Sequence, residues 1–505
     1  MKYAIGLDNG GTNIKAALFD AEGNEICVRG VDALASSPRP GYIERDMEAL
    51  WGQNCACLRA LAEAAAAAGV APGDIAGLSL SGHGKGLYAW GRDGRPAYAG
   101  ILSADNRAWE YPERWRAGGV QDALYPKLCQ QILPGQQASL LAWMKDHERA
   151  AYDRIRWVFS VKDYVRFRLT GEAFYELSDL SGTSLIDVRG ARVDEGLLCT
   201  LGIGEAAGMI PEIRQSFDLC GRLTAEAASL TGLPEGLPVA GGMFDIDACA
   251  IAMDVMTEDD LCTITGTWSI NEFIAREPVL GTQIAMNSRY AEPGFFLVEE
   301  CSPTGAGNLE WVLENTGARA GFGDGADLYR RVDEAVEGVR PEDSDVYFLP
   351  FLYGSNAHPL AKASLVGMTT YHGRADILRA AYEGAAYTAK THIDKLLAHR
   401  RPPRAIRMAG GAARSPVWVQ MFADVLGFPI ETVTSVSELG ALGCAMSAFV
   451  AAGCYAGYAE AVGRMVRIAP PVPPRAACVG VYREKYAKYA AVRDALDGAW
   501  GRFEV

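Results

Sequence analysis

One local pattern occurs twice in the chain: a strand that ends in a short glycine turn, followed by a second strand that leaves the turn. The first copy covers residues 3–20, with Gly10 and Gly11 at the turn, and the second covers residues 260–275, with Gly266. Apolar runs that end at glycine are typical of strands joined by tight turns. Because the second half of the chain restarts the pattern of the first, the sequence predicts two related lobes.

The elements around these turns predict an α/β fold. The first lobe should open with three antiparallel strands, followed by a helix from Asp46 to Gly69 that Asp46 caps. Later helices are expected over residues 305–316, 324–337, 374–400, 415–426 and 438–452, and a last helix follows a proline-rich connector at 470–474. Apolar strands such as 406–409 and 429–433 lie between them. Helices that alternate with strands indicate a sheet covered on both faces.

Length and composition narrow the class of protein. A chain of 505 residues, 49% of them hydrophobic, fits two domains, which we place at residues 1–243 and 244–505. No apolar run approaches the roughly 18 residues of a membrane span, and Asp8 comes too early for a signal peptide, so a soluble cytoplasmic protein is expected. The net charge of −14, without a long basic run, argues against a nucleic-acid partner.

The first glycine turn has the composition of a phosphate-binding turn: Asp8-Asn9-Gly10-Gly11-Thr12-Asn13-Ile14-Lys15. Glycines let backbone N–H groups approach an anion closely, and the Thr12 hydroxyl is a further donor. Asp8 ends a strand and could hold Mg²⁺ directly or through water, because this ion prefers a few carboxylates together with phosphate oxygens. The competing interpretation is a plain hairpin, for which Asn-Gly is a strong signal.

Two further glycine turns could contact a nucleotide. Gly266-Thr267 again joins two strands, whereas Gly410-Gly411 joins a strand to a helix and so offers a helix N-terminus as well. The competing interpretation of the latter is an ordinary turn with Ser415 as the helix cap. The chain has no Walker A motif, and residues 82–86 run into a strand-like segment, so a nucleotide would be held by dispersed turns.

Taken together, these motifs resemble the FGGY carbohydrate kinases of the actin, hexokinase and Hsp70 superfamily, over nearly the whole chain. Further segments that carry the resemblance are Pro40–Asp46, Ser415–Asp424 and Glu438–Ala445. Within the family, Ser81–Leu87, Ile101–Arg107 and Phe351–Ala357 are most similar to the L-xylulose kinase type. The resemblance implies two ribonuclease H-like α/β domains with an interdomain active-site cleft. It also implies ATP-dependent phosphorylation of a small sugar, such as the ketopentose L-xylulose, in carbohydrate catabolism.

The resemblance also implies a set of site residues and the cofactors ATP and Mg²⁺. The residues implied for ATP and phosphate binding are Gly10, Gly11, Thr12, Asn13, Lys15, Gly266, Thr267, Gly410, Gly411 and Ser415. The residues implied for sugar binding are Gly82, His83, Asp105, Arg107 and Asp245. Those implied for metal binding are Asp8 and Asp245. The expected partners are the sugar and ATP, with neither nucleic acid nor membrane, and a homodimer is one allowed assembly.

Asp245, in the segment Ala240–Asp245, is the predicted catalytic base. A sugar hydroxyl is a poor nucleophile, so a carboxylate within hydrogen-bond reach must accept its proton as the γ-phosphoryl group is transferred. The competing interpretation is a helix cap, since residues 246–253 have a helical pattern. Asp247 is the rival acid, but two residues further along the chain its side chain would point elsewhere.

Several positions do not decide which sugar is the substrate. The Asp105-Arg107 pair could equally be structural. Ser103, Leu140, Phe244 and Met253 depart from residues that are common in the family, which puts the D-xylulose and glycerol specificities in doubt. Alternatives are therefore kinases for D-xylulose, ribulose, erythritol or glycerol. A non-catalytic actin-like ATP-binding or chaperone protein, or a sugar-sensing regulator, is a further alternative, although the sequence indicates no peptide-binding domain and no basic helix-turn-helix extension.

Overall fold

The computed structural model describes residues 2–281, 284–323, 325–355, 357–434 and 436–503. The chain folds into two compact units, each made of several segments. Unit 1 comprises Met1–Met256, Ala275–Val298 and Ser435–Arg467, and unit 2 comprises Thr257–Ile274, Glu299–Thr434 and Ile468–Val505. Asp245 therefore groups with unit 1, and the domain boundary that we place between residues 243 and 244 stays a prediction.

The strands are numbered in chain order. They are β1 Tyr3–Asn9, β2 Asn13–Asp20, β3 Glu25–Asp32, β4 Glu44–Arg45, β5 Ile75–Gly82, β6 Tyr88–Gly91, β7 Gly100–Ile101, β8 Ile155–Phe159, β9 Phe174–Glu176, β10 Ile186–Asp187, β11 Arg192–Val193, β12 Glu212–Arg214, β13 Leu219–Arg222, β14 Pro238–Ala240, β15 Met243–Phe244, β16 Cys262–Thr265, β17 Ser269–Ala275, β18 Met286–Arg289, β19 Phe296–Ser302, β20 Tyr347–Leu349, β21 Ser364–Val366, β22 Ile406–Ala409 and β23 Ile430–Thr432.

The α-helices are numbered in the same way. They are α1 Met47–Ala67, α2 Glu110–Ala117, α3 Val120–Leu128, α4 Gln137–His147, α5 Arg149–Tyr152, α6 Val161–Thr170, α7 Leu177–Ser181, α8 Glu195–Thr200, α9 Ala225–Thr231, α10 Asp245–Ala252, α11 Gly307–Asn315, α12 Ala318–Phe322, α13 Ala326–Glu337, α14 Arg374–Leu397, α15 Pro416–Leu426, α16 Leu439–Ala451, α17 Tyr458–Met465 and α18 Ala476–Trp500.

Unit 1 is built on one sheet with the strand order β13-β14-β5-β1-β2-β3, and β15 also pairs with β5. The predicted three-stranded meander is confirmed, since β1, β2 and β3 pair in antiparallel order. Side chains alternate across β1: Ile5 and Leu7 join the core that contains residues of α1, whereas Gly6 faces α16. A Cβ on Gly6 would lie 1.8 Å from the Ala441 carbonyl oxygen. Helices therefore cover both faces, as the sequence predicts.

Unit 2 repeats the central arrangement. β16 pairs antiparallel with β17 across the second glycine turn and parallel with β22, which in turn pairs with β23. The order β17-β16-β22 corresponds to the order β2-β1-β5 of unit 1: each begins with a hairpin whose first strand takes a parallel neighbour on its other side. The prediction of two related halves is confirmed at the level of strand topology.

The predicted helices are present, with ends that differ by a few residues. Asp46 caps α1, because its Oδ1 accepts hydrogen bonds from the Glu48 and Ala49 N–H groups at 2.8 and 2.9 Å. The helix expected over 324–337 corresponds to α13, and residue 324 lies outside the described residues. None of the helices in the described ranges has the length and apolar character needed to cross a membrane.

Candidate active site

Three neighbouring parallel strands of unit 1 end at the same edge of the sheet. β1 pairs in parallel with one side of β5, and β15 pairs in parallel with the other side. The chain continues from these three strand ends to Gly10, to His83 and to Asp245. In α/β folds the carboxyl ends of parallel strands are where ligands bind. The structure thus brings together the predicted phosphate turn, the predicted sugar-binding histidine and the predicted base.

Asp8 lies near the end of β1 and is half-buried. Its Oδ1 accepts a hydrogen bond from the Ser81 hydroxyl at 2.7 Å, and a Cβ on Gly440, in the first turn of α16, would lie 3.1 Å from its Oδ2. Burial raises the pKa of Asp8, while the Ser81 hydrogen bond and the Lys15 charge oppose the rise. A buried carboxylate beside a phosphate turn needs a cation to offset its charge, which fits Mg²⁺.

The first glycine turn directs its carbonyl groups inward. The Gly11 carbonyl accepts a hydrogen bond from Arg45 Nη2 at 2.7 Å, and the Thr12 carbonyl accepts one from the Ala33 N–H at 2.8 Å. Among the described residues, the backbone N–H groups of Gly10, Gly11 and Thr12 have no acceptor. Successive unpaired N–H groups form a concave anion site. The segment is a hairpin, and its unpaired N–H groups remain available to an anion.

The two remaining residues predicted for this turn have partners within unit 1. Lys15 Nζ lies 3.0 and 3.1 Å from the two Glu438 carboxylate oxygens. The Asn13 amide donates to the Thr12 hydroxyl at 3.1 Å. Both side chains are at least partly exposed, and their contact with phosphate stays a prediction.

His83 is buried and carries no charge at neutral pH. Its Nε2 lies 3.1 Å from the Tyr88 hydroxyl, and its Nδ1 lies 3.4 Å from the Gly84 carbonyl oxygen. Burial is the main cause that lowers the pKa of His83 to about 4, and the nearby positive charge of Arg45 lowers it further. A neutral imidazole can both donate and accept a hydrogen bond, which suits contact with a sugar hydroxyl.

Asp245 is the first residue of α10 and is half-buried. The cap position is Phe244, so the structure differs from the interpretation in which Asp245 caps the helix. Asp245 Oδ1 accepts a hydrogen bond from the Ile246 N–H at 2.9 Å, and the positive end of the helix favours its ionised form. The Phe244 ring packs against the segment that holds His83, since a Cβ on Gly84 would lie 2.4 Å from its Cε2.

Asp247, the rival acid, is fully buried. Its Oδ1 accepts a hydrogen bond from the Ala291 N–H at 2.7 Å. Burial, together with the charge of Glu176, raises the pKa of Asp247 well above its usual value. Its contacts tie two segments of unit 1 together, in keeping with the minor role that the sequence predicts.

The Cys444 thiol of α16 lies close to both candidate acids. The charges of Asp8 and Asp245 both act on the thiol. Burial is the main cause that raises the pKa of Cys444, so the thiol stays protonated. The neighbouring Gly443 lets α16 approach α10, because a Cβ there would lie 2.2 Å from the Ala248 carbonyl oxygen. A single helix thus contacts the elements that carry both acids.

The Asp105-Arg107 pair is fully buried and satisfied inside unit 1. Arg107 Nε and Nη2 donate to the two Asp105 oxygens at 2.9 and 2.8 Å, and Nη1 lies 2.8 Å from Glu44 Oε1. The Tyr42 ring centroid lies 4.1 Å from the guanidinium carbon, and Asp105 Oδ2 also accepts the Ile43 N–H at 2.6 Å. These contacts match the structural alternative, and the sugar-binding role of the pair stays a prediction.

A buried cluster of charges supports the segment before Asp245. Lys162 Nζ lies 2.7 Å from Asp163, 3.3 Å from Glu176 and 3.4 Å from Asp179. Burial and the Asp163 charge raise the pKa of Asp179 to about 7, against the opposing charge of Lys162. Such a network is stable only while its members stay paired, so it fixes the positions of α6 and α7.

The cluster reaches the catalytic segment through two hydrogen bonds. Ser178 Oγ donates to Glu176 at 2.8 Å and accepts the Phe244 N–H at 3.0 Å. Arg166, which pairs with Asp163 at 2.6 Å, donates to the Gly241 carbonyl. Both ends of the segment that leads into Asp245 are therefore held by buried polar groups.

In unit 2, the second and third glycine turns lie against each other. Gly410 has a φ of 89°, and a Cβ on it would lie 2.5 Å from the Thr265 carbonyl oxygen. Residues 303–307, which the sequence did not single out as a binding segment, complete the group. A Cβ on Gly305 would lie 2.4 Å from the Gly266 carbonyl oxygen. Gly305, just before α11, and Gly307, its first residue, were the signal that could have indicated this segment.

Ser415 caps α15, as the competing interpretation of the third turn expects. Its Oγ accepts the Trp418 N–H at 3.0 Å and donates to Asp333 Oδ1 at 2.7 Å. The contact of Ser415 with a nucleotide stays a prediction.

We expect Gly410→Ala to destabilise unit 2 by about 1–3 kcal/mol and to weaken ADP binding, because the new methyl group would meet the Thr265 carbonyl at a positive φ. Urea unfolding and ADP titration measure both effects. Gly411→Ala is the matched control, since the nearest atom to its added Cβ is the Ala306 Cβ at 3.9 Å. Equal losses in the two variants would contradict this account of the turn.

Among the described residues, no group of three or more His, Cys, Asp or Glu side chains is arranged to hold a metal ion. Mg²⁺ does not require such a cage, because it usually binds one or two carboxylates and completes its shell with phosphate oxygens and water. Asp8, next to the unpaired N–H groups of the first turn, has the chemistry for such a site.

Comparison with known proteins decides the family. The model of the N-terminal domain of the FGGY family of carbohydrate kinases matches residues 3–252, and the model of the C-terminal domain matches residues 261–452. The chain belongs to the FGGY family of carbohydrate kinases. It is therefore an enzyme that uses ATP to phosphorylate a sugar, and the expected α/β fold class is confirmed.

Relatives of this FGGY kinase match over its full length. The chain is 36% identical over 504 residues to the L-xylulose/3-keto-L-gulonate kinase of Escherichia coli (strain K12), covering 100% of this chain and 99% of the relative. It is 34% identical over 500 residues to a probable L-xylulose kinase of Pasteurella multocida (strain Pm70), covering 98% and 99%. The crystal structure of a xylulose kinase from Rhodospirillum rubrum matches with a TM-score of 0.85 and 25% identity, over 99% of this chain and 100% of that one.

Proposed function

We propose that this FGGY kinase transfers the γ-phosphoryl group of ATP to a hydroxyl group of a ketopentose, with L-xylulose as the first candidate, in carbohydrate catabolism. The observation that carries the proposal is the shared sheet edge of unit 1, where β1, β5 and β15 deliver Asp8, His83 and Asp245. The names of the two relatives support the substrate class, and the first of them adds 3-keto-L-gulonate as a second candidate.

Asp245 is the proposed general base, which accepts the proton of the sugar hydroxyl during transfer. Two features support this role. The first turn of α10 and the Ile246 N–H favour the carboxylate form. The preceding segment is fixed by Ser178 and Arg166, so the carboxylate does not have to be ordered at each turnover.

Sugar binding is assigned to Gly82 and His83, at the end of β5. A polyol is recognised by polar groups that pair with each hydroxyl, because an unpaired buried group costs about 1–3 kcal/mol. The neutral His83 ring, oriented by Tyr88, has the chemistry for one such contact. Asp105 and Arg107 stay in the proposed set through the family resemblance, although their contacts are internal.

Phosphate binding is assigned to the glycine turns of each unit. In unit 1 the donors are the N–H groups of Gly10, Gly11 and Thr12, and in unit 2 the second and third turns offer Gly266, Thr267, Gly410 and Gly411. Asp8, with Asp245 as a second ligand, is proposed to hold Mg²⁺, which when bound offsets the charge of the phosphate oxygens. The homodimer and the cytoplasmic location stay predictions.

A substrate panel tests the proposal. The rate of ADP release with MgATP is measured with L-xylulose, 3-keto-L-gulonate, D-xylulose, L- and D-ribulose, erythritol and glycerol. We expect L-xylulose to have the highest kcat/KM, by about tenfold or more over the polyols, because they lack the carbonyl group that a ketose site would pair with. ADP release that no sugar stimulates would contradict the kinase proposal and favour a non-catalytic or sensing role.

A further inference from the structure

Arg45 is a fully buried cation directly behind the first glycine turn. It ends β4 and is 1% exposed. Its Nε donates to the Leu34 carbonyl at 3.1 Å, and its Nη2 donates to the Gly11 carbonyl at 2.7 Å. Within the described parts of the chain, no carboxylate forms an ion pair with Arg45, and its buried Nη1 has no acceptor in hydrogen-bonding geometry.

A buried guanidinium without a carboxylate partner is costly, so its charge requires an explanation. The other charged groups of the turn already have partners. Lys15 pairs with Glu438 at 3.0 Å, and Asp8 accepts the Ser81 hydroxyl. Arg45 is thus the positive charge of this region without a carboxylate partner among the described residues, and it donates a hydrogen bond to the Gly11 carbonyl of the turn.

The same guanidinium reaches the sugar-binding half of the candidate site. Its positive charge opposes the rise that burial causes in the pKa of Tyr88, and the Tyr88 hydroxyl lies 3.1 Å from His83 Nε2. Burial, together with the same charge, lowers the pKa of His83, so one buried cation acts on both of these side chains.

We propose that Arg45 is a positioning residue whose counter-ion is the phosphate group bound at the first glycine turn, and whose charge also acts on His83 in the sugar-binding half. The inference rests on the proposed function, since it requires phosphate to bind at this turn. Without the Arg45 charge, the two carboxylates of Asp8 and Glu438 would outweigh the single positive charge of Lys15. The turn would then repel an anion.

The test compares Arg45→Met and Arg45→Lys with the wild type. Calorimetry measures the affinity for MgADP, and thermal unfolding is followed with and without MgADP. We expect Arg45→Met to bind MgADP about tenfold or more weakly. Its unfolding midpoint without ligand should equal or exceed that of the wild type, because an unpaired buried charge has gone. The affinity of Arg45→Lys for MgADP should lie between those of the wild type and Arg45→Met, since lysine keeps the charge but lacks the planar guanidinium group.

These results separate positioning from a purely structural role, in which the ligand-free midpoint would fall and the affinity of the folded protein would not change. Arg39→Met is the control, because it removes the same charge from an exposed site in the same segment. If Arg45→Met does not fold, the MgADP affinity and unfolding midpoint of Arg45→Lys and Arg45→Gln are compared with those of the wild type instead.

A second readout follows the sugar-binding half. NMR titration of the histidine signals, with His83 assigned through His83→Gln, should show a higher pKa for His83 in Arg45→Met. The charged group that acts on this ring is Arg45, and its removal leaves burial as the cause that lowers the pKa. If the wild type does not bind MgADP, the proposed function fails. If the wild type binds MgADP and both Arg45 variants bind it equally well with an unchanged His83 pKa, only this inference is overturned.

Discussion

Replacing Asp245 with asparagine should reduce kcat by about 10³-fold while leaving the affinity for MgADP within a small factor of the wild-type value. Asparagine has nearly the same shape and can still accept the Ile246 N–H, but it cannot accept the proton of the sugar hydroxyl. Because the base acts on the nucleophile and Asp8 remains as a ligand for Mg²⁺, the loss should appear in kcat with little change in nucleotide binding. A coupled assay for ADP and calorimetry with MgADP measure the two quantities.

The matched control is Asp247→Asn, two residues further along the same helix. The Asp247 carboxyl group is buried, which raises its pKa well above the usual value, and asparagine keeps an acceptor for the Ala291 N–H. We expect turnover close to that of the wild type in this variant. Turnover that falls in Asp247→Asn and persists in Asp245→Asn would move the base to Asp247.

Asp8→Asn should lower kcat by about 10²-fold and raise the Mg²⁺ concentration needed for half-maximal activity. The substitution removes the carboxylate that is proposed to hold the ion, and it keeps an acceptor for the Ser81 hydroxyl. Burial raises the pKa of Asp8, so the folded protein bears a cost for ionising this group. The ligand-free unfolding midpoint should therefore stay equal or rise, even though activity falls.

Asp32→Asn is the control for the change in net charge, because Asp32 is exposed at the end of β3. It should leave both the magnesium dependence and the unfolding midpoint unchanged. A normal magnesium dependence in Asp8→Asn would exclude Asp8 as the metal ligand.

Much of the local structure could be predicted from the sequence, because it depends on residues close together in the chain. The hairpin around Gly10 and Gly11, the Asp46 cap and the restart of the pattern near residue 260 all follow from turn and cap chemistry. The convergence of three strand ends could not be derived in this way, since it depends on β15 pairing with β5, which lies far earlier in the chain. Family resemblance, rather than spacing, singled out Asp245.

The residues that support the candidate site were harder to find for the same reason. Arg45, Lys162 and Glu176 carry charges that a sequence pattern assigns to the surface, yet all three are buried. Their partners are carbonyl groups or charged groups brought close by tertiary pairing. The Asp105-Arg107 pair shows the converse case: both residues could be singled out from the sequence, but only the structure shows that their polar atoms are occupied by Glu44, Ile43 and each other.

Phosphoryl transfer to a ketopentose at the sheet edge of unit 1 is tested most directly by following the label from γ-³²P-ATP. With L-xylulose present, the wild type should form one labelled sugar phosphate for each ADP released, and Asp245→Asn should form almost none while still binding MgADP. Label that appears only as inorganic phosphate, or an equal yield of sugar phosphate from both proteins, would contradict the account.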